Sequence, residues 1–147
     1  MPMMWWLNLP NFWIASLAFA LVPLAQAVDF ESKPGAALVF VTQTGCHFCD
    51  RLDQQVISPL EASGLFTGRV QLARVSIDPG QQVTDHEGLS QAASTWASNY
   101  GAYGTPTLLL LRADGTLDAE PLYGVPDAID FFGYKIEQAV AELAKQP

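Results

Sequence analysis

The two cysteines of this chain, Cys46 and Cys49, are its only thiols, and they lie three positions apart in one C-x-x-C motif. A scaffold held together by disulfides needs several cysteines that bridge distant segments, and a structural zinc site needs about four ligands. The short apolar run 38–41 precedes the motif and is typical of a buried strand, whereas residues 50–56 are typical of a helix. The motif is therefore predicted at the point where a strand leads into a helix.

A cysteine at the start of a helix is well placed to react as an anion. Unpaired backbone N–H groups and the positive end of the helix dipole stabilise a thiolate, and C-x-x-C motifs lower a cysteine pKa from about 8.5 to roughly 3.5–7.5. His47, when protonated, adds positive charge close to the same sulfur. Cys46 is therefore predicted to be the nucleophile. Cys49, nearly one turn later, is predicted to be the resolving thiol that releases a mixed disulfide.

The first residues of the chain differ in kind from the rest. Residues 1–28 contain no charged side chain, are mostly apolar and include an A-x-A pattern at 25–27. This pattern predicts a signal peptide over residues 1–27, followed by one folded domain over residues 28–147. The alternative is an uncleaved membrane anchor over residues 5–27, because about 20 apolar residues span a bilayer. Both interpretations place the folded part outside the cytoplasm.

The net charge of the chain limits the classes of molecule that it is expected to bind. All 15 acidic and 7 basic residues follow the predicted cleavage site, so the net charge of −8 belongs to the folded part. Nucleic-acid binding is not expected, because phosphate contacts need a basic surface. The acidity is interpreted as a source of solubility, with electrostatic steering toward a basic partner as the alternative.

Apolar periodicity and turn residues predict one alternating series of strands and helices. Pro59 is expected to end or kink the helix that starts at the motif, and Asp127 is expected to cap the last helix. The predicted elements are a strand at 36–41, a helix from the motif, a strand at 70–77, a polar loop at 78–88, a helix at 89–100, a strand at 107–111, a hairpin arm at 117–123 and a helix down to 145.

A strand that leads into C-x-x-C at a helix start, followed by Gly104-Thr105-Pro106-Thr107 before an apolar strand and an Asp-Gly hairpin, resembles the thioredoxin superfamily. The resemblance covers most of residues 33–145 and is greatest to small periplasmic thioredoxin-like proteins of bacteria. It implies an α/β thioredoxin-like fold, with a central mixed β-sheet flanked by helices. It also implies a cis peptide bond before Pro106, in a loop that faces Cys46 and lets the Thr105 backbone pair with an extended substrate.

Three departures from the pattern of cytoplasmic thioredoxins argue against a general thioredoxin role. Gly45 stands in place of a tryptophan, and Phe40 stands in place of a buried acid on the preceding strand. Between the cysteines, His47-Phe48 replaces Gly-Pro. His47, Phe48, Thr105 and Pro106 are therefore predicted to tune the redox potential or to line the substrate groove.

The resemblance implies an exported thiol-disulfide oxidoreductase in the periplasm, acting on cysteine-containing exported proteins through a mixed disulfide at Cys46. Thr105 before Pro106 resembles disulfide isomerases and some reductases, yet the short stretch between Ala27 and the first strand leaves no room for the dimerisation domain of such isomerases. A monomeric reductase or electron relay is therefore favoured over an oxidase. Its electrons are expected from a membrane thiol reductant, and the Cys46–Cys49 disulfide is expected to serve without any cofactor or metal.

The alternative hypothesis is a thioredoxin-like binding or metal-holding module whose cysteine pair is not catalytic. A metal site would combine both cysteines with His47 and a further ligand, and His86 is the only other histidine. Trp96 and Tyr100 are interpreted as packing residues.

Overall fold

The computed structural model describes residues 27–147. The predicted signal peptide or anchor lies outside these described residues, except for Ala27. From Ala27 onward, every helix is too short or too polar to cross a membrane.

Seven strands and four helices follow one another in the described residues, and a π-helical turn (Asp53–Ile57) joins the first two helices. The strands are β1 (Val28–Asp29), β2 (Ala36–Thr42), β3 (Val70–Ser76), β4 (Gln82–Thr84), β5 (Ser90–Ala92), β6 (Thr107–Leu111) and β7 (Leu122–Tyr123). The helices are α1 (His47–Leu52), α2 (Ser58–Ala62), α3 (Ala93–Asn99) and α4 (Ile129–Leu143).

The central sheet has the strand order β3-β2-β6-β7, with β2 parallel to β3 and antiparallel to β6. Strand β6 is buried along its whole length, and β2 is buried except at Thr42. Strands covered on both faces have near-continuous apolar sequences, which explains why these two were predictable. The predicted mixed sheet flanked by helices is confirmed.

Side chains of β2 alternate between two hydrophobic cores because successive residues of a strand face opposite sides of the sheet. Val39 and Val41 pack in the core that contains Phe30 and Trp96. Leu38 and Phe40 pack in the opposite core, which is closed by α1, the π-helical turn and α4 and which also contains Cys49. The C-x-x-C motif thus belongs to one face of the sheet.

The helical segment that follows the motif continues past Pro59, so of the two outcomes expected at this proline, an end or a kink, the end is wrong. Pro59 lies in the first turn of α2, immediately after the π-helical turn. The N–H of Ser58 donates to the carbonyl of Asp53, five residues earlier. A proline ring clashes with the carbonyl four residues before it, and a wide turn at this point relieves that crowding.

The segment 78–88 is not a simple polar loop, and the helix predicted from Leu89 begins only at Ala93. Strands β4 and β5 form an antiparallel hairpin there, and β1 pairs with β4 in parallel to complete a second, three-stranded sheet. The hairpin is held to the domain by Val83, which is completely buried. A single buried valine among polar neighbours is too short a pattern to predict a strand.

The tip of this hairpin packs through one histidine. The ring of His86 stacks on Phe30 at a centroid distance of 5.0 Å, and Phe30 stacks in turn on Trp96. Gly115, in the Asp-Gly turn after β6, lies against the same imidazole: a Cβ there would be 2.7 Å from His86 Nδ1. Trp96 is therefore a core residue, as predicted, and His86 is a packing residue.

Gly115→Ala is expected to lower the free energy of unfolding by about 2–4 kcal/mol, because its φ of +85° strains any other residue and the new methyl group would displace His86. Two matched variants separate these causes. Gly80→Ala has the same strain (φ +86°) in open space and is expected to lose about 1 kcal/mol. Gly68→Ala has neither problem and should be close to neutral. Urea unfolding measures all three, and equal losses for Gly115→Ala and Gly80→Ala would contradict the contact with His86.

Candidate active site

A tight turn connects β2 to Cys46. The N–H of Cys46 donates to the carbonyl of Gln43 at 3.4 Å, which closes a turn of four residues. The third residue of the turn, Gly45, has a φ of +75° and nothing within 4 Å of the position that a Cβ would occupy. A positive φ at this position is what a type II turn requires, and glycine adopts it without strain.

Cys46 itself caps the first helix. Its backbone is extended (φ −85°, ψ 96°), and its sulfur accepts a hydrogen bond from the N–H of Cys49 at 3.1 Å. Its carbonyl accepts from the N–H of Asp50 at 3.1 Å. The Cys46 sulfur therefore occupies the N-cap position, where serine or aspartate oxygens are usually found. A negative charge on this sulfur would meet the unpaired N–H groups and the positive end of the helix dipole.

Cys46 and Cys49 are joined in a disulfide with an S–S distance of 2.06 Å. The two sulfurs differ in their surroundings. Cys46 is partly exposed, whereas only 2% of Cys49 is exposed, and Cys49 packs in the core beneath α1. A partner approaching from solvent meets Cys46 first. The geometry is that expected for a nucleophile and a resolving thiol, and those roles stay predictions.

The loop before β6 lies at the same end of the sheet as the disulfide. Val41, near the end of β2, pairs with Thr107, the first residue of β6, so the residue before Thr107 is next to the start of the motif turn. The peptide bond between Thr105 and Pro106 is cis. Pro106 is buried, its carbonyl accepts from the N–H of Gly124, and the Thr105 hydroxyl is buried without a partner among the described residues.

Aromatic side chains are exposed around this end of the domain. Phe48, between the cysteines, is 56% exposed, and its ring lies 6.0 Å from that of His47, which is also exposed. Tyr103, two residues before Thr105, is 82% exposed. Exposed aromatic rings can supply apolar contact area for an approaching chain.

Asp78 is part of the site, although the sequence pattern placed it only at the start of a polar loop. Because β2 and β3 are parallel, with Thr42 opposite Ser76, the segments that follow them emerge at the same edge. The Asp78 carboxylate accepts from the N–H of Thr44 at 3.0 Å, from the Thr44 hydroxyl at 2.6 Å and from the Ser76 hydroxyl at 2.8 Å. The hydrogen bond from the Thr44 hydroxyl, with those from Ser76 and the Thr44 backbone, lowers the pKa of Asp78 below its ordinary value.

Below the disulfide, the sheet presents an apolar surface. Phe40 is 2% exposed and belongs to the same core as Cys49, as the sequence comparison with thioredoxins implied for this position. The carboxylate of Asp53 forms an ion pair with Arg74 at 3.1 Å, and Arg74 also pairs with Glu61 at 2.8 Å. These two carboxylates raise the pKa of the Arg74 guanidinium, the Glu61 hydrogen bond being the largest cause.

The structure separates the residues that a metal site would have combined. His86 packs against Phe30, which belongs to the core on the other face of the sheet from Cys49. Within residues 27–147, no three histidine, cysteine, aspartate or glutamate side chains come together as a metal-binding group.

Comparison with known proteins agrees with this geometry. Residues 25–132 match the family model described as a thioredoxin-like domain. No curated protein matches the sequence. Similar solved structures include a DsbH oxidoreductase (17% identity, TM-score 0.54, covering 75% of each chain) and a thioredoxin from Thermus thermophilus (22%, 0.53, 79% of this chain and 81% of that one). A thioredoxin-fold protein from Helicobacter pylori is 16% identical, with a TM-score of 0.52 over 80% and 86% of the two chains. At these identities, the structures show a shared fold.

Proposed function

The chain belongs to the thioredoxin-like domain family and is a thiol-disulfide oxidoreductase, and we propose that it works in the periplasm as a reductase or electron relay for cysteine-containing exported proteins. The single observation that carries the exchange chemistry of this proposal is the asymmetry of the disulfide. A partly exposed sulfur caps a helix, and a buried sulfur lies behind it.

The reaction follows from this asymmetry. In the reduced protein, the Cys46 thiolate attacks one sulfur of a substrate disulfide, forms a mixed disulfide and releases the other substrate sulfur as a thiolate. The Cys49 thiolate then attacks the Cys46 sulfur, restores the Cys46–Cys49 disulfide and releases the second substrate thiol. Two electrons pass from the protein to the substrate. The same exchange with a membrane thiol reductant returns the domain to its dithiol form.

The remaining site residues have proposed roles in this exchange. Phe48 and Tyr103 offer apolar contact to the substrate, and the backbone at Thr105 pairs with an extended segment beside the disulfide. His47 adds positive charge near Cys46 when it is protonated. A monomer suffices for this chemistry, because both cysteines and the loop around Pro106 belong to one chain.

The proposed direction is tested by redox equilibration of the purified domain with glutathione, followed by alkylation and mass spectrometry. We expect a potential nearer to about −270 mV, the value of a reductant, than to about −120 mV, the value of a strong oxidant. A potential near −120 mV would contradict the reductase assignment and leave the oxidoreductase chemistry intact. The exported protein recovered from periplasmic extract provides the material, and N-terminal sequencing of it should find Val28 first if the signal is cleaved.

The alternative of a binding or metal-holding module predicts a different outcome in the same preparation. Its cysteines would react slowly with iodoacetamide at neutral pH, and a metal would be retained through purification. Rapid alkylation of one cysteine after reduction, without bound metal, is the result expected for the oxidoreductase.

A further inference from the structure

The turn of residues 43–46, which ends at Cys46, lies outside the regular sheet. Strand β2 ends at Thr42, and the helix begins only after Cys46. Within the turn, the hydrogen bond from Cys46 N–H to Gln43 is long, at 3.4 Å. A glycine at the third position adds backbone freedom. Such a segment needs an additional contact to hold one conformation.

Asp78 supplies that contact from the segment that follows the neighbouring strand, β3. Its carboxylate binds both hydrogen-bond donors of Thr44, the N–H at 3.0 Å and the hydroxyl at 2.6 Å, across a separation of 34 residues in sequence. The carboxylate is itself fixed by the Ser76 hydroxyl, and the N–H of Asp78 donates back to Ser76 Oγ at 3.2 Å. Hydrogen bonds thus join the segments that follow the parallel strands β2 and β3, at a residue two positions before Cys46.

We infer that Asp78 is a positioning residue for Cys46: through Thr44, it holds the turn so that the Cys46 sulfur stays over the N–H of Cys49 after the disulfide is reduced. The inference rests on the proposed function, in which the reduced Cys46 sulfur is the nucleophile. Once the S–S bond is broken, the hydrogen bond at 3.1 Å from Cys49 N–H is a remaining link between that sulfur and the helix. Its strength depends on where the turn places Cys46.

The Asp78 carboxylate has two opposing effects on the stability of the Cys46 thiolate. As a positioning group, Asp78 favours the thiolate by keeping the sulfur at the helix N-terminus. As a bare negative charge, it disfavours the thiolate, although the effect is small in an exposed setting because water screens it. The Thr44 and Ser76 hydrogen bonds lower the pKa of Asp78 below its ordinary 3.8, so the carboxylate stays charged over the range in which a thiol titrates.

The test is the pH profile of Cys46 in the reduced protein, followed by ultraviolet thiolate absorbance and by the rate of iodoacetamide alkylation. Asp78→Ala is expected to raise the midpoint by about one pH unit, a tenfold loss of thiolate well below the midpoint. A lowered midpoint would show that Asp78 acts on Cys46 only as a negative charge. An unchanged midpoint would show that the turn keeps its conformation without Asp78. Either result would overturn the inference.

Substitutions at Thr44 test whether the effect passes through that residue. Thr44→Ser keeps the hydroxyl and should behave like the wild type. Thr44→Val loses the bond at 2.6 Å but keeps the N–H bond, so it should raise the midpoint by less than Asp78→Ala does. Asp78→Asn retains one acceptor oxygen and should fall between the alanine variant and the wild type. If Thr44→Ser and Thr44→Val shifted the Cys46 midpoint equally, Asp78 would not act on Cys46 through the Thr44 hydroxyl.

The chain offers a matched control. Asp114 binds the N–H of Thr116 at 2.9 Å and its hydroxyl at 2.6 Å, the same arrangement in the turn after β6. Asp114→Ala should leave the Cys46 profile unchanged. If Asp78→Ala and Asp114→Ala shift it equally, general loss of stability is the cause and the inference fails. The proposed function has a separate readout, because a wild-type midpoint near that of a free cysteine, about 8.5, would contradict it whatever the variants do.

Discussion

Replacing Cys46 with serine is expected to reduce the rate of insulin disulfide reduction to the background rate of the reductant alone, a loss of at least about a hundredfold, or about 2.7 kcal/mol of activation free energy. The physical reason is that a serine hydroxyl is not ionised near neutral pH and does not attack a disulfide. No other thiol can substitute, because Cys49, the second and last cysteine of the chain, is 2% exposed. The measurement is insulin turbidity with time in the presence of dithiothreitol.

The serine variant should keep its fold. Serine is among the favoured N-cap residues, and its hydroxyl can accept the hydrogen bond that Cys46 Sγ accepts from Cys49 N–H. Circular dichroism and urea unfolding of Cys46→Ser therefore serve as the control for misfolding. A folded Cys46→Ser protein with activity equal to the wild type would contradict the nucleophilic role of Cys46.

The second large effect is expected when Cys49 is replaced with serine. Cys46 can still attack a substrate disulfide, but the mixed disulfide cannot be resolved from within the protein, so covalent complexes should accumulate. Non-reducing electrophoresis of cells that express Cys49→Ser should show bands that disappear on reduction, and mass spectrometry of these bands identifies the partners. Exported proteins with cysteines, and a membrane thiol reductant, are the partners expected from the proposed function.

The matched control for trapping is the double variant Cys46→Ser/Cys49→Ser, which has no thiol and should form no such bands. Because Cys49 lies on the buried face of α1, a serine there places one hydroxyl in an apolar core, and a modest loss of stability is expected. Bands that persist in the double variant, or a Cys49→Ser protein that turns over insulin normally, would contradict the division of roles between the two cysteines.

Much of the central sheet could be predicted because its strands are buried on both faces. The apolar runs at 36–41 and 107–111 correspond to β2 and β6 almost residue for residue. The last helix was also predictable from its apolar stripe, although the prediction of its capping residue was wrong. The N-cap residue is Ala128 and no side chain caps the helix, so Asp127 does not have the predicted role.

Contacts between segments distant in sequence could not be predicted. Nothing near Asp78 in the sequence indicates that its carboxylate binds Thr44, because the contact follows from the parallel pairing of β2 with β3. The hairpin of β4 and β5 was missed for a similar reason, since its stability comes from Val83 and from the stacking of His86 on Phe30. The sequence locates the two cysteines, and the structure shows that Asp78 binds Thr44 in the turn before Cys46.

The N-cap position of the Cys46 sulfur makes helix formation and redox chemistry parts of one thermodynamic cycle. The hydrogen bond from Cys49 N–H serves the helix and the sulfur at once, so the free energy by which a charged sulfur favours an intact first turn equals the free energy by which an intact first turn favours the charged sulfur. Each 1.4 kcal/mol that discriminates between the dithiol and the disulfide is worth about 30 mV. Substitutions along α1 that never touch a cysteine are therefore a means of adjusting the reduction potential.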